Sequence, residues 1–326
     1  MFYKYDHESV KLIGRWGREP ESAVTTATGG KIVIAFRGKA AVLHFDMLWN
    51  APEYPHLWVM LDDGNKIETA VSMYLRVEAK AEGDHTVTVI YKGANENQHR
   101  WYRPLEGKIA FRGYDADEAG VLSYEEKPYF EIIGDSISEG VLIDPFYRPN
   151  EKWDTFNRPY QDDVTATYHY LAADALGLEP LVMGYGAVGM SHAGSGSVPR
   201  VGISYPYCYD GMKMTYDKEP EYILINHGAN DWNAKTEDYL AWYGELLDMI
   251  YEMHPAAKVI ALSAFCGNHH DALRDFIPQY NKEKGKDVFF ISSKGWVPLE
   301  PLHPLRDGHQ IIANNLIAAM KERYGL

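Results

Sequence analysis

Three short stretches put chemically able side chains where a strand ends or a helix is about to begin. Gly134-Asp135-Ser136-Ile137 follows the apolar run YFEII, and Gly228-Ala229-Asn230-Asp231 follows YILIN. His303 stands in Glu300-Pro301-Leu302-His303-Pro304, shortly before the last helical stretch. A hydroxyl just beyond a strand, an amide facing the same crevice and an imidazole reaching over the sheet edge suit nucleophilic catalysis, with the histidine as general base. Each group also has a plainer reading. Serine at a strand–helix junction commonly caps the helix, and Asn230 or Asp231 could equally shape a turn, with Asp231 the more obvious cap. Ser138 has no support beyond a structural role. His309 is a rival base six residues after His303, but six residues is no helical repeat, so the two rings do not share a face. Asp307 with Gln310 three residues on has the form of a capping box, which would put His309 inside the helix and favours His303.

A fourth stretch, VMGYGAVGMSH, carries Gly184, Gly186 and Gly189 after an apolar run, the spacing of a dinucleotide-binding turn. Such a site needs a helix directly after the glycines, so that its N-terminus meets the phosphates. SHAGSGSVPR follows instead, rich in Gly and Ser and stopped by Pro199, so these glycines serve another purpose.

The elements that must position these groups fall into two kinds. Up to about residue 122 the chain reads as short strands: KIVIAF (31–36), AAVLHFDM (40–47), HLWVMLDDG (56–64), HTVTVIYKG (85–93) and GKIAFRG (107–113), with Asp63-Gly64 as a hairpin turn. This pattern implies an all-β jelly-roll or β-sandwich over residues 1–122. The polar stretch from Asp115 to Pro128 is the natural connection, with residues 123–128 as the linker proper. From residue 129 to 326, strand candidates YFEII, PLVM, YILIN, KVIALSAF and DVFFISS alternate with helical stretches. Leu240, Tyr243, Leu247 and Ile250 recur at helical spacing before Pro255, and Ile312, Leu316, Ala319 and Met320 share a face of the last helix. This is an α/β three-layer sandwich with a parallel sheet covered on both sides. Ligands meet such sheets beyond the carboxyl ends of the strands, where Ser136 and Asn230 fall.

Taken in order, Gly134-Asp135-Ser136-Ile137, the turn ending at Gly189, Gly228-x-Asn230-Asp231 and the late His303-Pro304 resemble the signature blocks of the SGNH, or GDSL-type, hydrolases over nearly all of residues 129–326. A β-domain followed by such a domain, with fragments such as Gly14-Arg15-Trp16, is similar to family two carbohydrate esterases, which remove acetyl groups from plant polysaccharides. The resemblance implies a flavodoxin-like sheet, Ser136 as nucleophile, His303 as base, and an oxyanion hole from the N–H groups of Ser136 and Gly189 and the Asn230 amide. It also implies a carbohydrate O-acetyl esterase acting on acetylated mannan- or xylan-type oligosaccharides without cofactor or metal. Two positions depart from the family pattern. Glu300 stands where most members carry Asp three residues before the histidine; it orients His303, or a backbone carbonyl does so and leaves a Ser-His dyad, or Glu300 is a solvated loop acid. Gly184 stands where relatives often carry Asn. A lipid, thioester or sialate esterase on the same machinery is a second reading, and a non-catalytic carbohydrate-binding protein a third.

The remaining features set boundaries. A net charge of −14 disfavours nucleic acid and anionic membranes and suits a neutral substrate. Trp232 and Trp296, beside the site loops, could stack on sugar faces or simply pack in the core. His269-His270-Asp271 is dense in polar groups, but adjacent side chains diverge, so a loop or helix start is expected there rather than a metal site. Gly-x-Ser-x-Gly does not occur, which argues against an α/β-hydrolase. The N-terminus MFYKYDHESVKL lacks the pattern of a signal peptide, and two cysteines, Cys208 and Cys266, make no disulfide framework, so a cytoplasmic protein is expected. The β-half could bind sugar, shape the cleft or pack a homo-oligomer.

Overall fold

The computed structural model describes residues 1–62, 64–144 and 158–326. The first half holds β1 (Phe2–Lys4), β2 (Val10–Ile13), β3 (Gly17–Arg18), β4 (Ala23–Thr25), β5 (Lys31–Phe45), β6 (His56–Leu61), β7 (Ile67–Ala70), β8 (Tyr74–Gly93) and β9 (Ile109–Ala119). Among the described residues these form one antiparallel network in the order β3-β4-β9-β5-β8-β6-β7, with β1 on β9 and β2 on β5.

The strands run longer than the sequence pattern predicts. KIVIAF and AAVLHFDM are one strand, β5, because Gly38 takes a φ of 130° and the pairing with β8 slips by a bulge between Gly38 and Ala40. HTVTVIYKG is only the end of β8. Its earlier part alternates Leu75, Val77 and Ala79 with exposed Arg76, Glu78 and Lys80, and that charged outer face hides the strand. Asp115 to Ala119, expected within the connection, lie in β9 and pair with β5. Gly64 lies between the antiparallel strands β6 and β7; Asp63 is outside the described residues.

In the second half, β10 (Tyr129–Gly134) and β11 (Glu179–Gly184) precede a small hairpin, β12 (Tyr207–Tyr209) with β13 (Met212–Lys213). β14 (Pro220–Asn226), β15 (Lys258–Leu262) and β16 (Phe289–Ile291) follow. The sheet order is β11-β10-β14-β15-β16 and every pair is parallel. The helices are α1 (Ser136–Glu139), α2 (Arg158–Gln161), α3 (Tyr168–Ala175), α4 (Val201–Ser204), α5 (Thr236–Met253), α6 (His270–Lys284) and α7 (Arg306–Tyr324).

Successive strand residues point to opposite faces, so both faces of this sheet are apolar. On one face Ile133, Ile223, Ile225 and Val259 pack with Tyr243, Leu247 and Ile250 of α5 and Leu273 and Ile277 of α6. On the other, Phe130, Ile132, Leu224 and Ile260 meet Tyr168 and Ala172 of α3 and Ile312, Leu316 and Met320 of α7. The expected capping box at α7 is not formed. The helix begins at Arg306 with Leu305 as N-cap, Asp307 Oδ1 accepts the N–H of Gly308 at 2.8 Å, and Gln310 bonds to Asn314. Starting earlier lets Arg306 reach Asp144 and Asp163.

The two halves share a core. Val24, Ala27, Trp101, Leu105 and Ala110 belong to the same buried cluster as Tyr185, Val188 and Met190. Gly93 lies so close to the Asp162 carbonyl that a Cβ there would stand 2.8 Å from it. Buried ions also cross the boundary. Arg15 pairs with Glu131 at 2.9 Å, both at most 1% exposed, while Tyr205 and Tyr216 donate their hydroxyls to the same carboxylate. Removing one member of a buried pair leaves the other charge unpaired and costs about 3–5 kcal/mol. Arg15→Ala should therefore lose about that much unfolding free energy in a denaturant titration. A loss under about 1 kcal/mol, the size of a surface pair, would show that Glu131 is held by its tyrosines alone.

Candidate active site

The four predicted loops meet above the carboxyl ends of β10, β11 and β14. β10 ends at Gly134, and the chain turns at once into α1. A Cβ at Gly134 would lie 2.1 Å from Ser138 Oγ, so only glycine permits the turn. Asp135 caps the short helix, its Oδ1 accepting the N–H of Ile137 at 3.0 Å. Ser136 occupies the first helical position, where the N–H has no intrahelical acceptor. Its Oγ lies 2.9 Å from Nε2 of His303, a contact between residues 167 apart in sequence. Ser138 is structural: its hydroxyl meets that of Tyr168 at 2.9 Å and its carbonyl accepts from His169.

The other loops are tied together by Asp231. Its carboxylate accepts the N–H groups of Met190 and Ser191, at 3.1 and 2.8 Å, and the Ser191 hydroxyl. It therefore holds the glycine turn; α5 is capped from Lys235, not from Asp231. Gly189 faces this carboxylate so closely that a Cβ would stand 2.7 Å from Oδ1, and its N–H donates to the His192 carbonyl at 3.2 Å. The Asn230 amide donates to the Val188 carbonyl at 3.1 Å and, at 3.4 Å, to Asp135 Oδ2. The Asn230 amide thus bridges Asp135 and the glycine turn. Burial, with Asp231 nearby, pushes the Asp135 carboxyl up to about 7. No helix begins directly after Gly189; the chain passes first through a 3-10 turn at Ser195–Ser197, unlike a dinucleotide site.

The two histidines lie in different surroundings. His309 is buried in α7, where Nδ1 accepts the N–H of Tyr168 at 3.1 Å and burial drives its proton affinity down to about 3. His303 is half-buried on the preceding loop. Desolvation lowers its pKa; Glu96 opposes that shift and Arg158 adds to it.

Glu300 is exposed and makes no hydrogen bond to His303. The charged groups that bear on the imidazole are Glu96 of the other half and Arg158, with opposite effects. Glu96, in the loop after β8, pairs with Arg158 at 2.9 Å and accepts from Ser195 Oγ at 3.3 Å. It presses on the glycine turn so tightly that a Cβ at Gly186 would lie 1.8 Å from its Oε2. Nothing in the sequence pattern marks Glu96 or Arg158, since neither lies in a motif and they approach only when the halves dock. Trp232 is 75% exposed beside Asp231, whereas Trp296 is half-buried against the α3–α7 core. His270 opens α6, and His269 bonds to the Asp231 carbonyl at 2.8 Å. Cys208 is buried, Cys266 half-buried, and both are free thiols.

This fold and site arrangement has counterparts among solved structures. No family model matches the chain, and no curated protein sequence does. The fold is that of the family two carbohydrate esterases. An acetyl xylan esterase from the rumen bacterium Butyrivibrio proteoclasticus superposes with a TM-score of 0.80 at 16% identity, covering 100% of this chain and 99% of that one. A family two carbohydrate esterase from Cellvibrio japonicus gives 0.79 at 17% identity, over 99% and 97%. One from Clostridium thermocellum, in complex with cellohexaose, gives 0.75 at 19% identity, over 97% and 99%.

If Asp231 is what holds the glycine turn, Asp231→Ala frees two amides. A hydrogen bond to a charged group is worth about 1.5–3 kcal/mol, so exchange at Met190 and Ser191 should accelerate by about ten- to a hundredfold. Unchanged exchange at both amides in the folded variant would mean the turn is held from elsewhere.

Proposed function

We propose that this protein is a serine esterase that removes O-acetyl groups from carbohydrates, with acetylated oligosaccharides of the mannan or xylan type as substrates. The observation that carries the proposal is the 2.9 Å contact between Ser136 Oγ and His303 Nε2, at the ligand-binding end of a sheet whose fold is shared with carbohydrate esterases. Ser136 attacks the acetyl carbonyl as its proton passes to His303. The C–O bond to the sugar then breaks, and His303 returns the proton to the departing sugar oxygen. Water, deprotonated by the same imidazole, attacks the acetyl-serine and releases acetate. The oxyanion of each tetrahedral stage is met by the N–H of Ser136, by the Asn230 amide, which gives up its 3.4 Å contact to Asp135, and by the N–H of Gly189, which gives up its 3.2 Å contact to the His192 carbonyl. No step calls for a metal.

His303 works in this proposal as half of a dyad. Glu300 is exposed, and of the charges that bear on His303, Glu96 favours the protonated ring while Arg158, together with desolvation, opposes it. The β-half, residues 1–122, is proposed to be a jelly-roll unit joined by residues 123–128 to a hydrolase unit, 129–326, with Glu96 as its contribution to the cleft wall. Trp232, exposed at the rim, is the candidate to stack on a sugar ring, a role that the packed Trp296 does not fill.

Acetate release from a panel of acetylated oligosaccharides, with the position followed by NMR, tests the activity directly. Ser136→Ala should abolish turnover and the acylation burst, and Asn230→Ala should retain slow turnover, reduced by about 10²–10³. Near-normal activity in Ser136→Ala would end the proposal. Preference for long acyl chains over acetate would favour a lipid esterase.

The base must be neutral, and desolvation has lowered the His303 pKa below its ordinary value. Activity is therefore lost as pH falls, but its acid limb should lie below the usual histidine value of about 6.5. Glu300→Gln should cost far less than the roughly 10⁴ of an orienting carboxylate and leave that limb in place. A loss of that size would return Glu300 to the catalytic set.

A further inference from the structure

One buried ion pair takes no part in the chemistry above, yet it touches both elements that carry it. Arg100, in the loop between β8 and β9, and Glu139, the last residue of α1, are 0% and 1% exposed. The guanidinium donates to both carboxylate oxygens, to Oε2 at 3.3 Å. Glu139 Oε2 in turn accepts the N–H of Gly186, in the glycine turn, at 2.6 Å. The same guanidinium lies 5.2 Å from the ring centre of Tyr185, whose hydroxyl is 3.1 Å from Thr26 Oγ1 in the β-half. The backbone N–H of Arg100 donates to the Gly196 carbonyl at 3.0 Å, and Thr28 Oγ1 donates to the Glu139 carbonyl at 3.3 Å.

Glu139 stands three residues after Ser136 in the same helical turn, so fixing its side chain fixes the nucleophile's helix. Gly186 stands three residues before Gly189, so fixing its N–H fixes the approach of the proposed oxyanion donor. A well-packed apolar pair would join the halves without the desolvation cost of two buried ions. What an ion pair adds is direction: a planar fork holds a carboxylate in one orientation and stacks on an aromatic ring at the same time.

We propose that Arg100 is a positioning residue for the esterase reaction, holding the Ser136 helix and the glycine turn in register through Glu139. The β-half is then part of the catalytic apparatus rather than a detachable sugar-binding module. This role rests on the esterase reading above.

The test uses the full chain and hydrolysis of a chromogenic acetate. In the double variant R100M/E139Q both charges go and volume is nearly kept, so the fold should survive. Its kcat should fall about ten- to a hundredfold, the scale set by a small misplacement of reacting groups, while KM stays within about twofold. Labelling of Ser136 by a fluorophosphonate should slow in parallel. Arg100→Lys keeps the charge but neither the fork nor the stacking plane, and should lose several-fold in kcat with its melting curve intact; it serves if the double variant does not fold. Arg37→Met removes an exposed pair with Asp84 in the same half and should leave kcat unchanged. Parental kcat in either folded Arg100 variant would overturn the positioning role while leaving the esterase reading in place. An inactive parent protein would overturn both.

Discussion

A serine hydroxyl is a poor nucleophile until a neutral imidazole stands within hydrogen-bond reach of it, and here the two are brought together across 167 residues of chain. Elements from both ends of the second half contribute to that meeting. β10 delivers Ser136 through a turn that only Gly134 allows, α7 packs its apolar face on the sheet, and the loop before it carries His303 over the sheet edge. The sheet order 2-1-3-4-5 places the strand bearing the serine between those bearing the glycine turn and Asn230. The strand that leads to the hydroxyl thus lies between the two strands that lead to its candidate amide donors.

Charge is handled in two ways around this centre. Within the loops, carboxylates act as clamps: Asp135 caps the Ser136 helix, and Asp231 gathers the N–H groups of the glycine turn. Between the halves, charges are buried in pairs, Arg15 with Glu131 and Arg100 with Glu139. Such pairs cost heavily in desolvation, and they keep their place only where geometry and further hydrogen bonds satisfy them. Glu131 has two tyrosine hydroxyls and Glu139 has the N–H of Gly186 as those extra partners. The docking surface between the halves is therefore specific in orientation as well as apolar in area.

Much of the second half was legible because its signals are local. Apolar runs of buried parallel strands, helical spacing in α5 and α7, and glycine at sharp turns all act within a few residues. The first half was less so. Gly38 read as a break between strands, yet a bulge lets the ladder continue through it, and the charged outer face of β8 masked a strand whose inward residues alternate correctly. Asp231 read as a cap and is instead a clamp on a loop forty residues earlier, because hydrogen-bond partners of a loop carboxylate depend on what packs beside it.

The sequence by itself determined the kinds of groups and the elements that bear them: Ser136 after a first parallel strand, Asn230 after a third, His303 before a final helix, and His309 confined within it. Those follow from periodicity and turn chemistry, which are properties of neighbours along the chain. The tertiary structure decided which charges surround the imidazole. Glu300, three residues away, is exposed, while Glu96 and Arg158, paired with each other, come from more than a hundred residues earlier. It also decided that Arg100 of one half would pair with Glu139, at the end of the Ser136 helix, in the other. Electrostatic influence falls off with distance in space and not with separation in sequence, so these partners exist only once the two halves have packed.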